Sequence, residues 1–443
     1  MNLVTLHSHL AEINGEYVFV KCPTLDFTSK SPGKVTVFTE QRQFDIDFDP
    51  ENVGRIFRFF FTALFKPGKM ILFWGVKNLF SYHLYHTGKD FKTVDDHETT
   101  DRDHRPIYKT PVILDLKIVE AYCAIHLEAP LTYGEAVQRL KAVYPKFKPH
   151  QAIYNAIHAP LFKRVIPHLE TVGIFFGNKR KFAHYEIEGQ ANGRLKCANI
   201  FSKSYIPHVF KPEDRPLYSP LNMELFVYFD YTGLEICVLQ WLSGDENLLH
   251  ILKSGDDIYA GIIERITGKR PAKAREFGKK LVIPVIYGAQ APTIAKSLGI
   301  SEEIAAKLIT RLNNNFPDAM RFLNEAAVEN SLAVDRFGRR RIFKDGIYRV
   351  KNFAVQSPAA TICLAKLIDL HKALISEQVG KLGFYIHDGY GIFCNKSDYI
   401  KVLKVAKEAL EGENCLCPGI KLKVSCSVGV RLDRMKDLKR IGG

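Results

Sequence analysis

The run LFVYFDYTGLEICVLQWLSGDEN, residues 225–247, decides how this chain folds. Five apolar residues, too few for a helix, end in an acid and a turn-forming Thr-Gly pair. That pattern predicts a buried strand delivering Asp230 to its tip, at a sheet edge. Apolar residues then recur at Leu234, Val238, Leu239 and Leu242, the spacing of a helix that packs back over the strand and points Glu235 toward the space beside Asp230. One acid at a strand tip has little meaning alone, because exposed turn aspartates are common.

A second stretch supplies a partner. LGFYIHDGYGIFC, residues 382–394, reads as two short apolar strands hinged at His387-Asp388-Gly389, a tight hairpin with Asp388 at its tip. Two aspartates on neighbouring strand tips suit a pair of hard divalent cations, since Mg²⁺ takes carboxylate oxygens and keeps other positions for water and phosphates. Two such ions about 3.5–4 Å apart can clamp the attacking and leaving oxygens of an in-line phosphoryl transfer. Between the two acids, Arg275, Lys279, Ile283 and Tyr287 are spaced by four and share one face of a helix. Two cations and an aromatic on one face fit a triphosphate and a stacked base.

Taken together, these three stretches resemble the motifs of the family A DNA polymerases, the group of bacterial DNA polymerase I and several phage replicative polymerases, over roughly residues 190 to 435. The resemblance implies a right-hand polymerase with Asp230, Asp388 and the backbone of Tyr231 holding two Mg²⁺ ions, for which Mn²⁺ can substitute. It further implies that Arg275 and Lys279 steady the triphosphate, that Tyr287 stacks near the template base, that Glu235 lies against the incoming sugar, and that His387 sits near the primer terminus. Arg194, in the segment Asn192-Gly193-Arg194, matches an arginine that reaches the minor groove. Asn352 and Gln356, one helical turn apart, match amides that contact primer and template. The partners so implied are primer-template DNA and dNTPs, for a monomer with an unknown processivity partner. Two positions depart from the pattern: Ile283 stands where the family has Phe or Tyr, and Gly389 where it has a glutamate. Two other readings share these residues. A single-subunit RNA polymerase would keep both aspartates and the Arg-Lys-Tyr helix, with Glu235 as the discriminator, and a non-catalytic nucleic-acid-binding protein would keep only the basic half.

Composition bounds the rest. With 443 residues and 46% apolar content, the chain can bury a large core in two or three domains. No apolar run approaches the roughly 18 residues of a membrane span, and the first residues lack the pattern of a signal peptide, so a cytoplasmic protein of a bacterial or phage-infected cell is expected. Nine scattered cysteines without paired C-x2-C spacing point to reduced thiols and no zinc site. Residues 1–125 hold 15 Lys+Arg against 16 Asp+Glu, a balance of −1, which leaves +15 of the total +14 on residues 126–443. The basic half thus calls for a polyanionic partner.

The expected architecture is α/β and α+β: an RNase H-like, exonuclease-type domain (1–125), a short thumb (126–190), palm (191–254), fingers (255–350) and the second part of the palm (351–443). In the first domain, strands are expected at 17–20, 34–38, 69–74 and 111–115, with helices near 51–64, 76–86 and 116–126. Its position and the segment Gly75–Tyr82 resemble the family's 3′–5′ exonuclease. The acids are missing, however: Lys21, Cys22 and Pro23 follow the first strand, and Tyr82 stands where an aspartate is expected. Asp115 alone cannot hold two cations. The polar stretch Asp90–Arg105, with His97 and His104, reads as a surface loop. The thumb reads as helical and basic, the fingers as helices near 257–267, 272–287 (kinked by Pro284), 302–315 and 318–332, and Gly338–Arg341 as a basic turn. A helix from about 349 to 377, another near 398–410 and a strand near 421–430 complete the palm.

Overall fold

The central sheet of the computed structural model, which describes residues 17–22, 33–40, 43–48, 51, 70–87, 112–123, 129–130, 132–197, 205, 207, 210–220, 223–326, 332–343 and 347–438, is built on the strand that the sequence singles out. Pro23, nearly all of the helix expected near 51–64, and the Asp90–Arg105 stretch with His97 and His104 lie outside the described residues.

The N-terminal strands β1 (Tyr17–Lys21), β2 (Gly33–Phe38), β3 (Gln43–Phe48), β4 (Met70–Trp74) and β5 (Val112–Asp115) form one sheet in the order β3-β2-β1-β4-β5. The first three pair antiparallel, and β4 and β5 run parallel to β1. Strand β3 was not expected, because QFDIDF alternates apolar and acidic residues next to a polar loop; in the sheet Phe44 and Ile46 turn inward. Helices α1 (Val76–Thr87) and α2 (Leu116–Tyr122) follow β4 and β5.

Residues 132–190 form the layer between this sheet and the next. Helix α3 (Tyr133–Phe147) buries Leu140, Val143 and Phe147, and helix α4 (Ile166–Val172) packs on α1. One continuous apolar cluster runs from Val18 through Phe162 to Cys426, so the two halves share a core. A short hairpin, β6 (Ile174–Phe176) with β7 (Lys179–Lys181), closes the layer, and the Arg180 guanidinium donates to the carbonyls of Thr171 and Val172 at 2.9 Å each, capping the end of α4.

Strand β8 (Leu225–Tyr231) begins the larger half, with Phe226, Val227 and Phe229 fully buried. Burying each phenylalanine contributes about 2–3 kcal/mol. Helices α5 (Leu234–Ser243), α6 (Glu246–Ser254), α7 (Ile258–Thr267), α8 (Ala274–Ile286), α9 (Ala291–Leu298), α10 (Glu302–Asn315) and α11 (Pro317–Ala326) follow. Of these, α6 and α9 were not expected, being short; Asp245 starts α6 by accepting from Leu248 N at 3.0 Å, and Gly299 in a left-handed conformation ends α9. Helix α8 runs unbroken through Pro284.

The helix expected over 318–332 is described over Pro317–Ala326, and Leu332–Val334 is strand β9, paired antiparallel with β10 (Arg340–Ile342), so the helix does not extend to 332. Gly338, with φ of 88°, makes the turn. That turn is not an exposed basic patch, since Arg339 and Arg341 are buried. Arg339 donates to Glu188 (2.6 and 2.9 Å), Asp335 (3.1 Å), Ser357 Oγ (2.9 Å) and Thr361 Oγ1 (3.0 Å), and Glu188 also contacts His158 at 2.9 Å. The surrounding positive charges hold the Glu188 carboxyl well below the usual range despite its burial.

Helix α12 (Ile347–Ser376) is long and apolar enough to cross a membrane by length and composition, but 83% of its most apolar window is buried inside the protein, where it backs the sheet. Strands β11 (Lys381–Ile386) and β12 (Gly389–Cys394), helix α13 (Tyr399–Glu411), and strands β13 (Val424–Gly429) and β14 (Lys436–Leu438) complete the fold. The sheet order is β11-β12-β8-β13-β14, all antiparallel. Strand β8 is therefore central, and Asp230 lies at a strand end in mid-sheet rather than on a sheet edge.

Candidate active site

Register brings the two aspartates together. Asp230 pairs with Gly389 across β8 and β12, so Asp388, one residue before Gly389 in the two-residue turn, stands beside it at the same end of the sheet. His387 adopts a left-handed conformation (φ 53°), as a tight two-residue hairpin requires, and the Tyr385 hydroxyl donates to its carbonyl. The Tyr231 side chain points the other way, its hydroxyl donating to Leu410 O at 2.9 Å in the core, so only its backbone faces the acids' end of the strand.

Neither carboxylate has a hydrogen-bond or ion-pair partner among the described residues. Burial and then repulsion from Asp388 push the Asp230 carboxyl up to about 6, while Lys279 pulls it back. Two close anions without a counter-charge fit a hard divalent cation. Among the described residues no group of three or more His, Cys, Asp or Glu could hold a metal, so this pair with open positions around it is what those residues offer.

Helix α8 faces the acids. Lys279 lies over the Tyr259 ring, 5.6 Å from its centroid, and makes no salt bridge among the described residues. Arg275, one turn earlier, is half-exposed and paired with Asp257, the residue that caps α7. Ile283 is half-buried against the core. Tyr287 ends the helix, its phenol pushed up by burial and by the Glu235 charge.

A polar chain joins the flank. Gln356 Nε2 donates to Glu235 Oε1 at 3.2 Å, and Asn192 Nδ2 donates to Gln356 Oε1 at 3.3 Å. Asn352 sits one turn before Gln356 on α12, with its Oδ1 buried and unpartnered among the described residues. Arg194 is near enough to lower His387, whose pKa falls first through burial and then through that charge, and to act on Tyr287. The residues singled out from the sequence therefore converge on one cleft, with Arg275 turned toward Asp257 at its rim.

Comparison with known proteins now bears on this cleft. The family profile described as DNA polymerase family A matches residues 179–434, more than half of the chain and all of the cleft. The chain belongs to DNA polymerase family A. A DNA polymerase I of Chloroflexus aurantiacus is 32% identical over 225 residues, covering 46% of this chain and 24% of that protein. The thermostable DNA polymerase I of Thermus aquaticus is 29% identical over 229 residues, 46% of this chain and 26% of its own. The DNA polymerase of Mycobacterium phage D29 is 29% identical over 153 residues. The chain thus spans about a quarter of the length of these curated relatives. The POL domain of Pol1 from M. smegmatis, solved in complex with DNA primer-template and dNTP, superposes with a TM-score of 0.75 over 98% of this chain and 99% of that one, at 13% identity, and so shares the fold.

Three neighbours of this family A cleft escaped the sequence reading. Asp257 binds Arg275, Tyr259 underlies Lys279, and Tyr228 lies two residues before Asp230. Only Tyr228 carried a signal, since alternate residues of a strand share a face.

The corresponding end of the N-terminal sheet is built differently. Asp115 is buried; its Oδ2 accepts from Gly75 N at 3.1 Å and its Oδ1 from Lys117 N at 3.1 Å, while its own backbone N–H donates to the Tyr154 hydroxyl at 2.8 Å. Tyr82 is buried in the core.

Proposed function

We propose that this chain is a template-directed DNA polymerase that adds dNTPs to a primer 3′ end. The observation that carries the reading is the unneutralised Asp230–Asp388 pair at one end of the central sheet, facing the cationic helix α8. When bound, two Mg²⁺ ions would activate the primer 3′-OH and neutralise charge developing on the α-phosphate. Asp230, Asp388 and the Tyr231 backbone would hold them. Lys279, already at the acids, and Arg275, freed from Asp257, would bind the triphosphate as charge-assisted donors. Tyr287 and His387 would border the template base and the primer terminus, and Arg194, Asn352 and Gln356 would line the path of the nascent pair.

Glu235 argues for DNA over RNA. Held by Gln356, it would crowd a ribose 2′-OH on the incoming nucleotide. Primer extension with dNTPs and then rNTPs tests the reading. The parent protein should use dNTPs, Glu235→Ala should raise relative rNTP use, and a parent that prefers rNTPs would favour the RNA polymerase reading.

The remaining assignments are part of the same proposal. The N-terminal sheet, with β4 and β5 parallel to β1 and a helix after each, supports an exonuclease-type origin, and the engagement of Asp115 by backbone amides supports loss of proofreading. The 126–190 layer would act as a reduced thumb, with exposed Lys141, Lys146 and Lys148 as phosphate contacts. The boundaries 1–125, 126–190, 191–254, 255–350 and 351–443 describe this division. Relatives from bacteria and a mycobacteriophage support a cytoplasmic place of work.

A further inference from the structure

The face of the sheet that carries Asp230 holds an aromatic cluster of Phe226, Phe393 and Phe384, and Tyr228 extends it toward the acid. Tyr228 shares that face, and its cross-strand partners are Gly391 on β12 and Ser427 on β13; those of Asp230 are Gly389 and Ser425. The Phe384 ring covers Gly391, and the tyrosine ring stacks on it at 6.1 Å and 20°. Its direction is fixed by Gly389: a Cβ built there would lie 1.9 Å from the Tyr228 hydroxyl and 2.5 Å from the ring carbon bearing it. The hydroxyl thus occupies the space above residue 389, which lies directly across from Asp230 and next to Asp388 in the chain. Both carboxylates lie close enough to act on the hydroxyl electrostatically.

We propose that Tyr228 is a positioning residue of the metal site, its hydroxyl, in the space that Gly389 leaves open, donating to water held between a bound cation and the Asp230–Asp388 pair. The inference rests on the polymerase reading above. It explains why residue 389 is a glycine although its backbone is ordinary strand: any side chain there would collide with the hydroxyl. A neutral donor orients carboxylate oxygens, or water bound between them and a cation, without adding a third negative charge to a site that already repels itself.

The test uses the full chain bound to a dideoxy-terminated primer-template and the next dNTP, with Mn²⁺ binding followed by electron paramagnetic resonance. Tyr228→Phe keeps the ring and removes only the donor. Its Mn²⁺ affinity should fall about tenfold, the lower end for loss of a residue that orients metal ligands, with the melting temperature little changed. Unchanged affinity in Tyr228→Phe, while Asp230→Asn loses binding, would overturn this inference alone; unchanged affinity in Asp230→Asn would overturn the polymerase metal site itself. A second measurement addresses the glycine. Gly389→Ala should lower the melting temperature in the parent and far less in Tyr228→Ala, and equal losses in both backgrounds would show that the glycine does not make room for the tyrosine.

Discussion

Asp115 and Asp230 occupy matching places in two sheets: each lies at or near a strand end, and a helix follows. The chain between acid and helix separates their fates. Helix α2 starts at Leu116, immediately after Asp115, so that carboxylate caps the helix and also ties down Gly75. Helix α5 starts only at Leu234, and the residue before it is Gly233, with φ of 65°, in close approach to Ile258. Three intervening residues take up the turn, and Asp230 is left with unused lone pairs beside a second anion. An acid spent on backbone amides stabilises the fold; an acid left unspent is available for cations. Glu188 and Glu170 follow Asp115 in this, each buried and fully engaged, the latter by Lys77 at 2.6 Å, Ser81 at 2.5 Å and Tyr185 N at 2.8 Å.

The comparison breaks or sharpens through substitution. The largest effect belongs to the unspent pair. Asp230→Asn removes a metal-holding charge without changing volume, so primer extension should fall by about a thousandfold or more while the melting temperature holds or rises slightly, because repulsion is relieved. Loss of fold with loss of activity would place Asp230 among the structural acids.

Next in size is Glu188→Gln. It strips the main counter-charge from the buried Arg339 and should cost about 3–5 kcal/mol in denaturant unfolding, the range for breaking a buried ion pair. A cost below about 1 kcal/mol would mean that Asp335, Ser357 and Thr361 suffice for the arginine.

His184, beside Lys77 and Glu170, gives the pH dependence of this structural region. Burial and then the Lys77 charge lower its pKa from an ordinary 6.5 to about 4. Between those values the unfolded chain holds the proton and the folded chain does not. The stability it supports is therefore complete above pH 6.5 and is lost as pH falls toward 4, by at most about 3 kcal/mol. His184→Gln should flatten that part of the pH–stability curve, and an unchanged slope would assign the acid sensitivity elsewhere. The smallest effect is that of Asp115→Ala, about 1–2 kcal/mol for a lost cap, with primer extension per folded molecule unchanged.

Much of this was legible in the sequence because strand and helix periods are short-range signals. The Asp230 strand, the His387–Asp388 hairpin, helix α8 and the long helix α12 each carry their pattern within one window. Asn352 and Gln356 were legible as a pair from their spacing, although their surroundings were not. The buried arginines were illegible, since an Arg-Arg-Arg run after a glycine looks like surface, and it is Glu188, 151 residues away, together with Asp335 in the same hairpin, that makes burial of Arg339 tolerable. The same holds for Asp115: its sequence context gives an acid after a strand, whereas its use by Gly75 depends on the pairing of β4 with β5. Tyr228 falls between these cases, readable as a neighbour of Asp230 by strand alternation, but with a hydroxyl position set by a glycine 161 residues later in the chain, as the positions 228 and 389 give.

One gel reads both acids at once. An end-labelled primer, annealed to template with either a matched or a mismatched 3′ end, is incubated with Mg²⁺, with and without dNTPs, and with the parent, Asp388→Asn or Asp115→Asn protein. The account predicts lengthening of the matched primer by the parent and by Asp115→Asn, none by Asp388→Asn, and shortening of the mismatched primer by none of the three. Lengthening by Asp388→Asn, or shortening by the parent that disappears in Asp115→Asn, would contradict it.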